Sequence, residues 1–146
     1  MRAFRYKQHF EQSREEIFAF ITDLSTAPRW RSLVRHCEVE GGGPMRQGSI
    51  VLLTLDVGGK TMHVPSEVWL YDPPHRYGHQ NITNGVKGVF EYCLEADVNG
   101  TMVYFSGDVH PYGWMWLFLP LIWHTISTRY RGQLAALKQA MEMKKV

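Results

Sequence analysis

Tight-turn signals recur at short intervals through the middle of the chain, and they constrain the fold more than any other feature of the sequence. Three dipeptides supply the positive φ angles of a two-residue β-hairpin loop: Gly58-Gly59, Asn84-Gly85 and Asn99-Gly100. "GGGP" at 41–44 and "DPPH" at 72–75 mark two looser reversals. Because links this short join antiparallel neighbours, residues 33–110 are predicted to form a meander of twisted strands.

The turns delimit six strands, and a seventh precedes them. The six are predicted near residues 33–40, 48–57, 60–71, 76–83, 86–97 and 101–110. At residues 3–10, Phe4, Tyr6 and Phe10 alternate with charged and polar residues, which is typical of a half-buried strand. The sequence therefore predicts a seven-stranded antiparallel sheet.

Helical signals lie on either side of the meander. Ser13 and Glu16 have the spacing of a capping box, which predicts a helix that ends at about Thr22. A short helical turn is predicted around "STAPRW", with Ser25 as its cap. After "HPYG", apolar residues at helical spacing predict one long helix over residues 114–143. The predicted fold class is α+β: a curved antiparallel sheet wrapped around a long C-terminal helix, with two short helices after the first strand.

Length and charge restrict the class of protein. The chain has 146 residues, which is a usual size for one domain, and residues 1–146 are predicted to form a single one. The formal net charge is only +2, and the basic residues are scattered along the chain. Proteins that bind nucleic acid concentrate basic residues in a patch, so nucleic acid is not an expected partner.

The sequence contains no predicted membrane span. Its longest apolar run is about a dozen residues long and includes Pro120, whereas a helix that crosses a bilayer needs about 20 apolar residues. The N-terminal "MRAFRYKQHF" alternates charged and aromatic residues, unlike a signal peptide. The expected location is the cytoplasm, where Cys37 and Cys93 are expected to remain reduced thiols.

A gap between sheet and helix is predicted, because one helix cannot cover a curved seven-stranded sheet completely. Such a gap, lined with aromatic side chains, is the usual form of a small-molecule pocket. The helix face predicted to turn inward carries Trp116, Leu119, Trp123, Ile126, Ser127, Tyr130, Leu134, Leu137 and Met141. The sequence therefore predicts an internal cavity.

Strand alternation selects the sheet side of that cavity. The residues predicted to face it are Tyr77, His79, Phe90, Tyr92, Leu94, Val103 and Phe105. The predicted ligand contacts are Tyr77, His79, Phe90, Tyr92, Phe105, Trp116, Trp123, Ser127 and Tyr130. His79 and Tyr92 are also the candidate catalytic residues, because an imidazole and a phenol in an apolar pocket can act as acid and base in a cyclisation. The alternative is that both are packed core residues bonded to their neighbours.

Other histidines are predicted to lie outside the cavity. His63 and Glu67 share one strand face, the less apolar one, and are predicted to face solvent. His75 and His79 have a His-x3-His spacing that would suit a metal on a helix, but the first lies in a turn and the second in a strand. No metal and no other cofactor are expected.

Four segments carry a family resemblance. They are "SREEIFAFITDLSTAPRW", the turn "YDPPHR" at 71–76, "NGTMV" at 99–103 and the closing "LAALKQAME". In this order, within the same succession of strands and helices, they resemble the START-like superfamily, also called SRPBCC. Within that superfamily the polyketide cyclase/dehydrase and lipid-transport group is the nearest match.

The resemblance implies a helix-grip fold with a deep hydrophobic cavity. Members of the superfamily bind or carry lipids, sterols, polyketides and plant hormones, and some are cyclases, aromatases or hydrolases. They share no catalytic signature, so the fold alone does not name a reaction. The leading hypothesis is binding, with transport as an extension, of a lipid, polyketide or aromatic compound. The alternatives are a cyclase or aromatase that acts in the same cavity, and a partner-binding module without a ligand.

The start of the last helix, "GWMWLFLPLIWH" at 113–124, is apolar on every side. Five large apolar residues are predicted to point away from the cavity: Trp114, Leu117, Phe118, Leu121 and Ile122. A helix that is apolar all round is buried on its second side too. Residues 114–122 are therefore predicted to form a contact surface at the cavity mouth, either the seam of a homodimer or a transient contact with a membrane. Pro120 is expected to kink or interrupt the helix there.

Overall fold

The computed structural model describes residues 2–83 and 85–144, and only the backbone of Arg2, Thr83 and Lys144. The elements are β1 (Arg2–Phe10), α1 (Arg14–Thr22), α2 (Ala27–Trp30), β2 (Val34–Val39), β3 (Ile50–Val57), β4 (Lys60–Asp72), β5 (Arg76–Thr83), β6 (Val86–Asp97), β7 (Gly100–Pro111), α3 (Leu119–Tyr130) and α4 (Gln133–Lys144). Short 3-10 helices precede α2, at Leu24–Thr26, and α3, at Gly113–Phe118. Every predicted strand is present, with ends close to the predicted ones.

The strands form one antiparallel sheet of seven, in the order β1-β7-β6-β5-β4-β3-β2. Strands β2 to β7 follow one another in sequence and in space. Strand β1, the first in the chain, lies at the edge of the sheet beside the last strand, β7, with Tyr6 opposite Phe105. Register irregularities occur between Val34 and His36 in β2 and between Val68 and Leu70 in β4. Irregularities of this kind bend a strand and increase its twist. The predicted fold class is confirmed.

The hairpin turns have the backbone geometry that their residues predict. Positive φ angles occur at Gly58, Gly59, Gly85 and Asn99. Gly100 follows Asn99 with a φ of 153°, and a Cβ atom placed on it would overlap the carbonyl oxygen of Phe10. Glycine is therefore required where β7 begins beside the end of β1. Asn84, the other residue of a predicted turn, lies outside the described residues.

Helix α1 begins as the capping box predicts. The backbone N–H of Glu16 donates to the Ser13 hydroxyl at 3.2 Å. The cap of the next helical turn is different from the predicted one, because Asp23 and not Ser25 supplies it. The Asp23 carboxylate accepts from the backbone N–H of Ser25 at 3.1 Å and from its hydroxyl at 2.7 Å. A carboxylate only accepts, so the serine hydroxyl is the donor in this pair, and Asp23 is the cap.

The long C-terminal helix of the predicted fold class is present, and its geometry changes at two places. Residues Gly113–Phe118 are a 3-10 helix, and α3 begins at Leu119 with Pro120 in its first turn. Proline has no N–H to donate and fits only the first turn, which fixes the start of α3 there. The second change is at Arg131 and Gly132, between α3 and α4. Glycine is the poorest helix former after proline.

The core lies between the sheet and the helices, and aromatic rings fill most of it. Phe105 is at the centre, with ring centroids 4.4 Å from Tyr92, 5.0 Å from Phe4 and 5.7 Å from Tyr130. The helices add a second group of buried residues: Ile17, Phe18, Phe20 and Ile21 from α1, and Leu134, Leu137, Ala140 and Met141 from α4. The aromatic group lies under β5, β6 and β7, so the space that remains inside the sheet must lie elsewhere.

Candidate ligand-binding site

A cavity of about 390 Å³ lies between the inner face of the sheet and helix α3. The sheet side consists of side chains that alternate along their strands: Leu53, Leu55 and Val57 of β3, Met62 and Val64 of β4, and Val86 and Phe90 of β6. The helix side consists of Met115, Phe118, Leu121, Ile122, Ile126 and Tyr130. Both walls are apolar, which is the usual chemistry of a small-molecule site.

Few polar residues line the cavity. Arg31 and Ser32 follow α2, Asn81 lies on β5, and Thr125 and Arg129 lie on α3. Among the described lining residues none is acidic. The cavity is therefore an apolar space, and the formal charges among its described lining residues are those of two arginines.

The predicted ligand contacts divide into groups. Phe90 and Tyr130 line the cavity. Four others are buried on the same side of the sheet but do not line it: Tyr77, His79, Tyr92 and Phe105. Their rings pack against one another, and the cavity lies where smaller aliphatic side chains face the helix. This corrects the predicted cavity lining, while a role of these four residues in ligand binding stays a prediction.

The two candidate catalytic residues are bonded to neighbours in the core. His79 Nδ1 lies 3.5 Å from Ser66 Oγ. Burial lowers the pKa of His79 well below its ordinary value, and the positive charge of Arg31 acts in the same direction. Gln133 Nε2 donates to the Tyr92 hydroxyl oxygen at 2.6 Å, and burial raises the pKa of Tyr92. At neutral pH His79 is therefore uncharged and Tyr92 protonated, and neither side chain is at the cavity wall.

The other predicted contacts lie on different faces of the C-terminal segment. Trp116 is half exposed, and the partly buried Trp123 has no hydrogen-bond partner for Nε1 among the described residues. Ser127 is bonded to β1, because the Tyr6 hydroxyl donates to its carbonyl oxygen at 2.8 Å and lies 2.9 Å from its Oγ. These three residues do not line the cavity, which is a second correction to the predicted lining.

Three residues predicted to point away, Phe118, Leu121 and Ile122, line the cavity instead. For Phe118 the physical reason is the change of helical geometry, whereas Leu121 and Ile122 lie within α3, where Ile122 shares a face with Ile126 and Tyr130 at a spacing of four residues. A 3-10 helix turns about 120° per residue and an α-helix about 100°. Over Gly113–Phe118 the faces therefore rotate by about 120° relative to a continuous α-helix. A single helical wheel drawn through 114–143 cannot assign both parts correctly.

Sequence reasoning missed the sheet residues that form most of the wall. The same alternation rule that selected Tyr77 and His79 also places Leu53, Leu55 and Val57 on one face of β3. The predicted ligand contacts on the sheet are aromatic residues and therefore omit these aliphatic side chains. Arg31 follows a helix of four residues, and no sequence pattern indicates that its side chain turns toward the interior.

The cavity wall continues into an exposed apolar surface. Phe118 and Leu121 line the cavity and are 43% and 61% exposed. Their neighbour Leu117 is 81% exposed. We call this the mouth surface, and it consists of Trp114, Trp116, Leu117, Phe118 and Leu121.

Other chemistry-bearing residues lie apart from the cavity. His75 accepts a hydrogen bond from Arg14 Nη1 at 3.1 Å in its exposed turn, whereas His79 is in the core. His63 and Glu67 are exposed, as predicted. Both cysteines are free thiols. No helix among the described residues has both the length and the apolar character needed to cross a bilayer.

Fold and cavity together define a class of protein, the helix-grip proteins, in which an antiparallel sheet and a C-terminal helix enclose an apolar space. The chain belongs to the polyketide cyclase / dehydrase and lipid transport family, whose family model matches residues 1–142. The resemblance of the four sequence segments to this group is thereby confirmed. A comparison with curated protein sequences found no match.

Solved structures share the fold over nearly the whole chain. Ara h 8.0201 has a TM-score of 0.75 and 18% identity, and the alignment covers 95% of this chain and 97% of that one. A START superfamily protein from Mycobacterium smegmatis has a TM-score of 0.72 and 14% identity, covering 96% and 97%. The di-domain ARO/CYC BexL from the BE-7585A biosynthetic pathway has a TM-score of 0.74 and 12% identity, covering 94% of this chain and 48% of BexL. At these identities the likeness shows the fold alone.

Proposed function

We propose that this protein binds a small hydrophobic ligand, such as a lipid, a polyketide or an aromatic compound, in the cavity between the sheet and α3. The observation that carries the proposal is an apolar cavity of about 390 Å³. Small-molecule sites range from about 300 to 1,000 Å³, so the cavity lies within the size of functional pockets. Membership in a family of polyketide cyclases, dehydrases and lipid transporters supports the same proposal.

The volume limits the size of the ligand. A water molecule takes about 30 Å³ in the liquid, so 390 Å³ holds on the order of a dozen non-hydrogen atoms. Each methylene group of the ligand that is buried from water contributes about 0.8 kcal/mol to the free energy of binding. A ten-carbon chain or a fused pair of aromatic rings would therefore fill the cavity, and a sterol would exceed it.

Binding is favoured over catalysis because of where the candidate catalytic groups lie. His79 faces Ser66 and the Tyr92 hydroxyl faces Gln133, so neither group contacts the space that a ligand would occupy. Among the described residues, the titratable groups that line the cavity are two arginines and one tyrosine. Arginine stays protonated in proteins and burial raises the pKa of Tyr130, so none of the three is a proton acceptor at neutral pH.

Filling the cavity tests the proposal. Leu55 lines the cavity from β3, and Leu55→Trp is expected to place an indole ring in it. Displacing two methylene-sized groups of a ligand costs about 1.6 kcal/mol, so affinity for the neutral probes decan-1-ol and 1-naphthol is expected to fall about tenfold or more. Calorimetric titration measures both affinities.

Leu52→Trp is the matched control for the filled cavity. Leu52 lies on the same strand, is exposed and does not line the cavity, so this variant is expected to bind both probes as the unmodified protein does. Equal binding by the Leu55 and Leu52 variants would contradict the proposed site. Failure of the unmodified protein to bind any apolar probe would contradict the proposed function.

We propose in addition that the mouth surface is a contact surface through which the ligand is exchanged. Phe118 and Leu121 belong to both the cavity wall and this surface, so a ligand could pass between them without leaving apolar surroundings. Exposed apolar patches of more than a few hundred Å² mark interaction sites. The contact is either with a second copy of the chain or with a membrane, and the two alternatives give different results in one experiment.

Substitution Leu117→Glu is expected to remove this contact, because a carboxylate must lose its water when the surface is covered. A homodimer would appear as a particle mass that falls by half in the variant, and membrane contact as loss of binding to phosphatidylcholine vesicles. Val98→Glu is the matched control, since Val98 is 79% exposed in the β6–β7 turn, outside the mouth surface. If mass, vesicle binding and the rate of probe uptake are the same in both variants, the surface has no such role.

A further inference from the structure

We propose that the ligand is an amphipathic monocarboxylic acid, whose carboxylate binds between Arg31 and Arg129 while its apolar part fills the cavity. This inference rests on the proposed binding function. Beyond that function, it specifies that the ligand is an anion and that its negative charge lies at the end of the cavity bordered by the two arginines.

The two arginines lie where the cavity meets a second space. A groove of about 250 Å³ is bordered by α2, the start of α4 and the residues between them and the cavity. Three residues line both the cavity and the groove: Arg31, Ser32 and Arg129. Both guanidinium-bearing residues therefore lie at one boundary of the apolar space and at its more polar end.

Neither arginine has a counter-charge in the part of the chain that the structure describes. Among the described residues no carboxylate forms an ion pair with Arg31 or Arg129, and none of the described residues that line the cavity or the groove is acidic. Arg29, which also borders the groove, is different, because its Nη2 donates to the Ala140 carbonyl oxygen at 3.1 Å and its guanidinium lies over the Phe20 ring. Arg29 therefore has a structural role, and the other two have none within the described chain.

The charge of Arg31 acts toward the interior. Burial raises the pKa of Tyr130, and the charges of Arg31 and Arg129 lower it. Burial also raises the pKa of Cys37 and raises that of Tyr77 to about 12, in each case against the effect of Arg31. These three groups lie on α3, β2 and β5, so the positive potential of Arg31 extends across the inside of the sheet.

A carboxylate is the group that best completes this arrangement. Arg31 and Arg129 border the same two spaces and carry charges of the same sign, and none of the described residues that line those spaces is acidic. An anion between them supplies the missing opposite charge, and the planar guanidinium groups can donate to both carboxylate oxygens. The aliphatic walls of the cavity then match an apolar chain attached to that carboxylate, on the order of ten carbons by the volume given above.

Calorimetric titration with decanoate and decanamide tests the inference, since the two probes have the same length and differ in charge. The unmodified protein is expected to bind decanoate at least about tenfold more tightly than decanamide, because hydrogen bonds to charged groups contribute about 1.5–3 kcal/mol. The preference is expected to fall to less than about threefold in Arg31→Gln and in Arg129→Gln, with decanamide affinity unchanged. Arg46→Gln, which removes an exposed arginine that lines neither space, is the matched control and should keep the full preference.

The outcomes separate the two proposals. If neither probe binds, the proposed function fails together with this inference. If both probes bind equally, or if Arg46→Gln reduces the preference as much as the cavity variants do, the cavity binds ligands but the carboxylate assignment is wrong. Tighter binding of decyl phosphate than of decanoate by tenfold or more would replace the carboxylate with a phosphate head group. Arg129 is exposed on α3, so its variant tests the inference even if Arg31→Gln does not fold.

Discussion

Truncation of Phe105 to alanine is expected to lower the free energy of unfolding by roughly 3–5 kcal/mol. The Phe105 side chain is 1% exposed, and its ring packs against those of Phe4, Tyr92 and Tyr130. The loss combines the transfer of a buried ring to water with the cavity that rigid strands leave behind, and each aromatic pair adds about 0.5–1.5 kcal/mol. Since domains of this size are stable by about 5–15 kcal/mol, this one ring accounts for a large share of the total.

Urea denaturation measures the effect of this truncation. Tyr104→Ala is the control on the same strand, because Tyr104 lies on the opposite face, partly exposed, with the Arg5 guanidinium 5.0 Å from its ring centre. It is expected to lose less than half as much stability as Phe105→Ala. Phe105→Leu, which keeps most of the apolar volume, is expected to lie between them and gives a measurement if the alanine variant does not fold. Equal losses of stability in Phe105→Ala and Tyr104→Ala would show that the aromatic cluster does not dominate the stability of the core.

Acidification from pH 7.5 to pH 5 is expected to destabilise the protein through His79. An unfolded histidine has a pKa of about 6.5, whereas burial among Ser66, Tyr77 and Phe90 lowers the pKa of His79 well below that, and the charge of Arg31 lowers it further. Below about pH 6.5 the unfolded chain therefore binds a proton that the folded protein does not. The contribution of His79 to stability is present in full above that pH. Below it, the free energy of unfolding falls by about 1.4 kcal/mol for each pH unit until His79 is protonated in the folded protein as well.

Variants separate this histidine from the other groups that titrate in acid. His79→Leu has no ionisable group at this position, so its stability should depend less on pH between 7.5 and 5 than that of the unmodified protein. His63→Leu removes an exposed histidine and should leave the dependence unchanged. Urea denaturation at three pH values in that range gives the slope of the free energy of unfolding against pH for each variant. If His79→Leu and the unmodified protein have the same slope, His79 is protonated in the folded state.

Much of the fold follows from local sequence signals. The positive φ angles at Gly58, Gly59 and Asn99 show that the turn residues determine where strands end. The inward alternation of Phe90, Tyr92 and Leu94 determines which side of the sheet is buried, since a shift by one residue would expose all three. The pairing of β1 with β7 joins residues about a hundred positions apart and follows no local signal.

The position of the cavity could not be predicted in the same way. Aromatic residues indicated where the interior is, but large rings such as those of Tyr92 and Phe105 fill the interior where they lie. The open space lies beside Leu55 and Val64, whose smaller side chains do not reach α3. Alternation determines the direction of a side chain, whereas the volume that remains depends on how far each side chain and each helix extends. Volume is a property of the packed structure and has no local signal.

Helix α4 packs more deeply into the core than helix α3 does. Four side chains of α4 are buried in the core: Leu134, Leu137, Ala140 and Met141. None of the side chains of α3, all of which are described, is fully buried, although Ile126 and Tyr130 pack partly buried against the core. Segments with few buried apolar contacts open at a smaller free-energy cost than the whole protein unfolds. For the ligand proposed above, the time that it stays bound would then be set separately from the lifetime of the folded state. One folded molecule could take up and release that ligand many times without unfolding.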